Sequence, residues 1–177
     1  MPVTTANRTL LLLSLLFSYP CTVLAEQPEL DALFSSLKNS SDEMEARKYE
    51  NAIWESWFQS GNDEVDALMK EAMRKRGNYD FNGAIETLNQ VIGIDPDYPE
   101  AWNQRATVYF HQREYEKSLE DVAKTLELEP RHFGAMAGRA VIRLQQGKVA
   151  LAYQNVLQAL KIHPFLKERA FFPNLLQ

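Results

Sequence analysis

Residues 99–130 read PEAWNQRATVYFHQREYEKSLEDVAKTLELEP. The pattern of this stretch returns one step of 34 residues earlier and one step later. Pro96, Pro130 and Pro164 keep that step, as do Ala72, Ala106 and Ala140, and Ala84, Ser118 and Ala152. Leu88, Val122 and Val156 are in phase too, with Ile92, Leu126 and Leu160, and with Ile94, Leu128 and Ile162. A chain that repeats at a fixed period is a stack of one supersecondary unit, each copy burying its apolar face on the next. A period of 34 is one kept by helix–turn–helix units, which sets the expectation of an all-α fold with two antiparallel helices in each unit. The alanine and serine positions let the paired helices approach closely; a bulky side chain there would overpack, at about 1–3 kcal/mol. Asp95-Pro96, Glu129-Pro130 and His163-Pro164 are expected to end the second helices, because proline lacks an amide hydrogen and disfavours helix in the residue before it.

On these residues the chain resembles the tetratricopeptide repeat family. Trp102, Ala106, Tyr109, Tyr115, Ser118, Leu126 and Pro130 sit where that family places its large, small, aromatic and proline positions. The first unit, about 65–98, keeps Leu68, Ala72, Phe81, Ala84 and Pro96 but has Lys75 at an aromatic position and Tyr79 where glycine is usual. The third, 133–166, keeps Met136, Ala140, Gly147, Ala152, Ala159 and Pro164, with Arg143 at the aromatic position. The resemblance covers roughly 63–166 and implies a right-handed superhelical stack that binds extended peptides or helices in its concave groove. It places Met69, Lys70, Met73 and Arg76 in that groove from the first unit. The second contributes Asn103, Gln104, Thr107, Phe110 and His111, and the third Ala137, Gly138, Val141, Leu144 and Gln145. One subfamily grips a C-terminal carboxylate there with a Lys/Asn/Arg clamp. This chain has Met69, Met73, Gly134 and Gly138 at clamp positions, so it departs from that subfamily. Asn103 and Gln104 are expected to bond a peptide backbone. Arg105 and Arg139, at a position where leucine is common, are expected to pair with carboxylates of a neighbouring helix.

The segments outside the repeats carry their own patterns. Residues 1–25 read as a secretory signal: Arg8 is the sole charge, Leu10 to Phe17 is apolar except for Ser14, and Val23-Leu24-Ala25 precedes a cut at Glu26. A membrane anchor is the competing reading, but the run is far shorter than the roughly 20 residues a spanning helix needs. Cys21 lacks the small residues of a lipoprotein cleavage site before it. The expected location is therefore the periplasm, with a secreted or organellar lumen as the alternative and no stable membrane anchor after cleavage. In residues 26–62, Leu30, Leu33, Phe34 and Leu37 have helical spacing, and Ser40 with Glu43 fits a capping box for a second helix. Ala46, Tyr49, Ile53 and Trp57 then form a stripe, with Trp54 and Phe58 beside it. The stripe is expected to be an N-terminal cap over the exposed edge of the first repeat; the rival reading is a partner-binding or dimerising face. The tail 167–177 is apolar and is expected to fold back on the last helix or to enter the groove.

The whole chain has a formal charge of −5, and loss of Arg8 with the signal makes the remainder more acidic. That balance argues against nucleic acid as a partner. The cluster Lys70, Arg74, Lys75 and Arg76 is read as a solvated helix face, with a patch for an acidic peptide or tail as the alternative. Cleavage would remove Cys21, the one cysteine, and with it any disulfide or thiol chemistry. His111, His132 and His163 lack ligand spacing and read as surface or packing residues. No HExxH, phosphate-binding glycine loop or serine elbow occurs. The expectation is a non-catalytic adaptor for a protein or peptide partner, without metal or cofactor. A self-associating structural protein, a homodimer through the aromatic cap or the tail, is the alternative.

Overall fold

The computed structural model describes residues 28–175. The signal segment expected over 1–25 and residues 176–177 lie outside them. Among the described residues there are eight α-helices and no strand. The helices are α1 (Pro28–Lys38), α2 (Glu43–Trp57), α3 (Asp63–Gly77), α4 (Phe81–Ile94), α5 (Pro99–His111), α6 (Tyr115–Leu128), α7 (Phe133–Gln145) and α8 (Val149–Leu160). Two short 3-10 turns, Lys167–Phe171 and Pro173–Leu175, follow.

Local chemistry explains the boundaries. Asn62 caps α3, its side chain accepting from Glu64 N at 2.9 Å and Val65 N at 3.4 Å. Asp63, Glu64 and Asp66 in the first turn of α3, and Arg74, Lys75 and Arg76 in the last, complement the helix dipole. Pro99 opens α5 at a position where an amide hydrogen has no intrahelical partner. The second helices stop at Ile94, Leu128 and Leu160, just ahead of the in-phase prolines. Between the helices of each pair the chain turns through positive φ at Tyr79 (61°), Arg113 (61°) and Gly147 (72°), again one step of 34 apart. Only the third unit places glycine at that strained position. The cap of α2 differs from the expected box: Asp42, not Ser40, accepts from Glu45 N (2.9 Å), and Glu45 reaches back to Ser41 N (2.7 Å). Ser40 instead closes α1, bonding Ser36 O at 3.0 Å.

The pairs α3/α4, α5/α6 and α7/α8 stack in order, and α5 packs on both α3 and α7. The first helices thus form the inner row of the superhelical stack. Ala72, Ala84, Ala106, Ser118, Ala140 and Ala152 are all buried. Ser118 satisfies its hydroxyl on Ala106 O at 2.7 Å, so a serine fits an alanine position.

The N-terminal hairpin departs from expectation. Ala46, Ile53 and Trp57 of α2 share a core with Phe133, Met136 and Ala137 of α7, and with Ala159 and Leu166. Of the stripe, Phe58 reaches the first repeat's core. Arg131, in the loop before α7, pairs with Asp31 and lies over the Phe34 ring at 4.2 Å. The hairpin therefore crosses the inner face to the third repeat and does not stop at the first repeat's edge. The cause is apolar matching. Trp54 and Trp57 need large partners, and Phe133 supplies them, with centroids 5.6 and 5.0 Å away. The tail folds back on the last pair, as expected, with Phe172 against Tyr153 at 5.2 Å in a core with Ala140, Ala152 and Val156.

Candidate functional site: a pocket on the inner face

Where α2, the first helices of repeats two and three, and the tail converge, they enclose a pocket of about 570 Å³. That is within the usual size of ligand sites, roughly 300–1,000 Å³. Asn103, Gln104, Thr107, Phe110, His111, Ala137, Gly138 and Val141, all expected in the groove, line it. Trp54 and Glu50 line it from α2, and Leu166, Lys167 and Glu168 from the tail.

The other expected groove residues stand elsewhere. Met69 is buried in the first repeat's core at 2% exposure, Met73 is half-buried and Lys70 faces solvent. Arg76 bonds Gln104 from outside the pocket. Leu144 packs with the tail's core, and Gln145 is exposed. The rest of the basic cluster is partly engaged: Arg74 pairs with Glu71 (2.7 Å) and Lys75 bonds Thr87 Oγ1 (2.9 Å).

A buried polar network underlies the pocket. Glu100 is 1% exposed and accepts from Asn103 Nδ2 at 3.2 Å and from Gln104 Nε2. His132 Nδ1 accepts from Ala135 N at 3.1 Å, which places its proton on Nε2, and Nε2–H donates to Glu100 Oε2 at 2.9 Å. The His132 ring lies flat on Trp57, 3.9 Å between centroids and 6° between planes. The amide hydrogens expected to meet a peptide are thus committed to Glu100. His132 and His163 are packing residues at 0% and 2% exposure; His111 is exposed and stacks on Phe81.

Gly134 shows how the hairpin fits. A Cβ there would come within 2.6 Å of Trp54 Cη2, whereas a Cβ at Gly138 would meet nothing within 4 Å. Both stand where the carboxylate-binding subfamily has basic residues, and here the space over Gly134 belongs to Trp54. Arg105 pairs with Asp121 through two bonds, at 2.8 and 2.7 Å, and that carboxylate holds its guanidinium above the ordinary range. Arg139 does not repeat this pairing. Asn155 stands in phase with Asp121, so Arg139 turns to Gln158 Oε1 at 3.1 Å, and its Nε is buried without a partner.

Sequence reasoning missed Glu100–His132, Glu50 and Glu168. One signal was present: the position held by Asp66 and Glu100 in the first two repeats is Gly134 in the third. At this copy the missing side chain leaves room for Trp54. Among the described residues no group of three or more His, Cys, Asp or Glu is placed to hold a metal ion, and no helix is long and apolar enough to cross a membrane.

Sequence profiles described as TPR repeat and tetratricopeptide repeat match residues 72–112 and 99–132. A TPR repeat-containing protein of Rhizobium etli is 37% identical over 135 residues, 76% of this chain and 66% of that protein. DnaJ protein P58IPK homolog B of Oryza sativa subsp. japonica is 36% identical over 73 residues, 41% of this chain and 16% of that protein. The chain thus spans just under two thirds of the first relative and about a sixth of the second. Among solved structures, the first TPR of Spaghetti (RPAP3) bound to the HSP90 peptide SRMEEVD superposes with a TM-score of 0.59 at 18% identity, covering 64% of this chain and 90% of that one. The Yersinia enterocolitica type III secretion chaperone SycD, in complex with a peptide of the translocator YopD, gives 0.57 at 12% identity, covering 64% and 86%. The profiles, the Rhizobium relative and the stacked helix pairs agree: the chain belongs to the tetratricopeptide repeat family.

Proposed function

We propose that the chain is a non-catalytic adaptor whose inner-face pocket receives a short segment of a partner protein, and that it acts after export, in the periplasm. The pocket carries this reading. It lies on the inner row of first helices, where apolar and aromatic side chains stand beside polar ones such as Asn103, Gln104, Thr107 and Glu50, a mixture suited to recognising a peptide. Neighbours of the same fold hold peptides, those of HSP90 and YopD among them. The export part rests on the pattern of residues 1–25 alone. Self-association through the aromatic stripe of α2 is the weaker reading, because Ile53, Trp54 and Trp57 are already covered by the third repeat.

Gly138→Leu tests the site. Gly138 lines the pocket and has open space above it, so a leucine fills the cavity without straining the helix. Peptides selected from a displayed library by the wild-type chain should lose binding to Gly138→Leu while its helicity and melting temperature hold. If the library yields no peptide, or if the selected peptides bind both chains equally, the pocket is not the site.

A further inference from the structure

The acidic end of the pocket is built by segments outside the repeats. Glu50 comes from α2 and Glu168 from the turn after α8, and both line the cavity. His163 stands beside them, its Nε2 3.4 Å from Glu50 Oε2. Glu168 is 8% exposed, and its Oε2 is buried with no hydrogen-bond partner. Lys167 offers little relief: its Nζ is 4.0 Å from the other oxygen, Oε1, and its side chain is 90% exposed. A buried carboxylate oxygen without a donor is costly, and burial pushes the Glu168 pKa up. The Trp54 ring borders the same cavity. Carboxylates around an aromatic ring, one of them lacking a donor, form the complement of an alkyl chain ending in a cation.

We propose that the pocket takes the lysine or arginine side chain of a partner segment, its stem beside Trp54 and its cationic head between Glu50 and Glu168. This rests on the adaptor reading and adds the partner's chemistry to it. An ammonium or guanidinium brings N–H donors and a positive charge to the two carboxylates that line this end of the pocket. The chain's formal charge of −5 attracts a basic segment to the surface. An acidic peptide such as SRMEEVD would meet like charge from Glu50 and Glu168.

The test titrates the full chain with the N-acetyl methylamides of arginine, lysine, norleucine and glutamate, following the amide resonances of Gly134 and Gly138 and the Trp54 indole. The arginine and lysine probes should bind about tenfold more tightly than norleucine, as one charge-assisted hydrogen bond warrants. The glutamate probe should not bind. Glu168→Gln, which keeps the side-chain shape, should remove most of the cation's advantage and leave norleucine unchanged. Norleucine binding as tightly as arginine, no binding by either cation, or full cation affinity in both Glu168→Gln and Glu50→Gln overturns the proposal. The probe series needs no variant, so misfolding of a mutant leaves the answer intact. The two readings fail separately. Selected peptides that depend on an open Gly138 but carry no basic residue defeat the cation assignment alone. An arginine probe that binds at Glu168 while no peptide is ever selected defeats the adaptor reading alone.

Discussion

Gly134 and Gly138 are one helical turn apart on α7 and do opposite things. Gly134 exists because the Trp54 ring lies where its Cβ would be, at 2.6 and 2.8 Å from two ring carbons. That ring is held edge-on by Trp57, His132 and Phe133, so it cannot swing aside without losing contacts. Gly134→Ala should therefore destabilise the chain by about 1–3 kcal/mol, the usual cost of overpacking. Gly138→Ala should stabilise it by up to about 1 kcal/mol, because alanine is the better helix former and the space is open. Denaturant unfolding of both variants checks the pair. Equal effects would show that Trp54 does not sit over Gly134. The repeat phase makes each glycine visible in the sequence, but which one faces a neighbour depends on a hairpin some 80 residues upstream. No local pattern encodes that.

At the scale of elements, the repeats were legible and the joints between non-repeat segments were not. The small residues at Ala72, Ala106 and Ala140 fixed the helix pairs, because burial at a constant period leaves a mark at every copy. The hairpin helices were legible as helices from the spacing of Leu30, Phe34 and Leu37. Their docking place was not, since an apolar stripe says only that it will be covered. Glu50 on α2 and Glu168 in the tail line one pocket and have opposite linkage. His163 beside Glu50 holds that carboxyl below its ordinary 4.5, against the opposing effect of burial. Its contribution is present above the unfolded value and is lost as pH falls through the folded one. Burial raises Glu168 above 4.5. Its contribution is present below the unfolded value and is lost as pH rises through the folded one. Relative to the wild type, Glu50→Gln should melt lower at neutral pH, and Glu168→Gln should melt higher. The Glu168 difference should shrink as pH falls toward the ordinary 4.5, and the Glu50 difference only once pH falls below it. Thermal melts across that range read it directly. Two variants shifting the same way at neutral pH would contradict the assignment.

On the scale of the whole molecule, the hairpin changes what kind of object the stack is. In an open solenoid each repeat touches only its neighbours, and the ends fray first. Here Arg131 reaches Asp31 across 100 residues, Tyr98 bonds Trp57 O at 2.8 Å, and Trp57 stacks on His132. The N-terminal end is thereby fastened to the third repeat, and the last repeat is covered on its inner face by the hairpin and at its end by Phe172. Three repeats, the fewest that stand alone, gain a second source of cooperativity. Removing Trp57 should release that fastening while leaving the first pair intact. Trp57→Ala is expected to cost about 3–5 kcal/mol, since it empties a buried aromatic site shared with Phe34, His132 and Phe133. Amide exchange should then accelerate together in α2 and α7, which share that core, and much less in α3 and α4, whose core of Val65, Met69, Leu88 and Val91 does not include Trp57. Uniform acceleration across all three repeats would mean that the stack unfolds as one unit regardless of the hairpin. Acceleration confined to α2 would mean that the third repeat does not lean on it. Because Glu50 and Trp54 ride on the same helix, the acidic end of the pocket should lose its shape in step with α7, so loosening the hairpin should weaken arginine-probe binding before helicity falls.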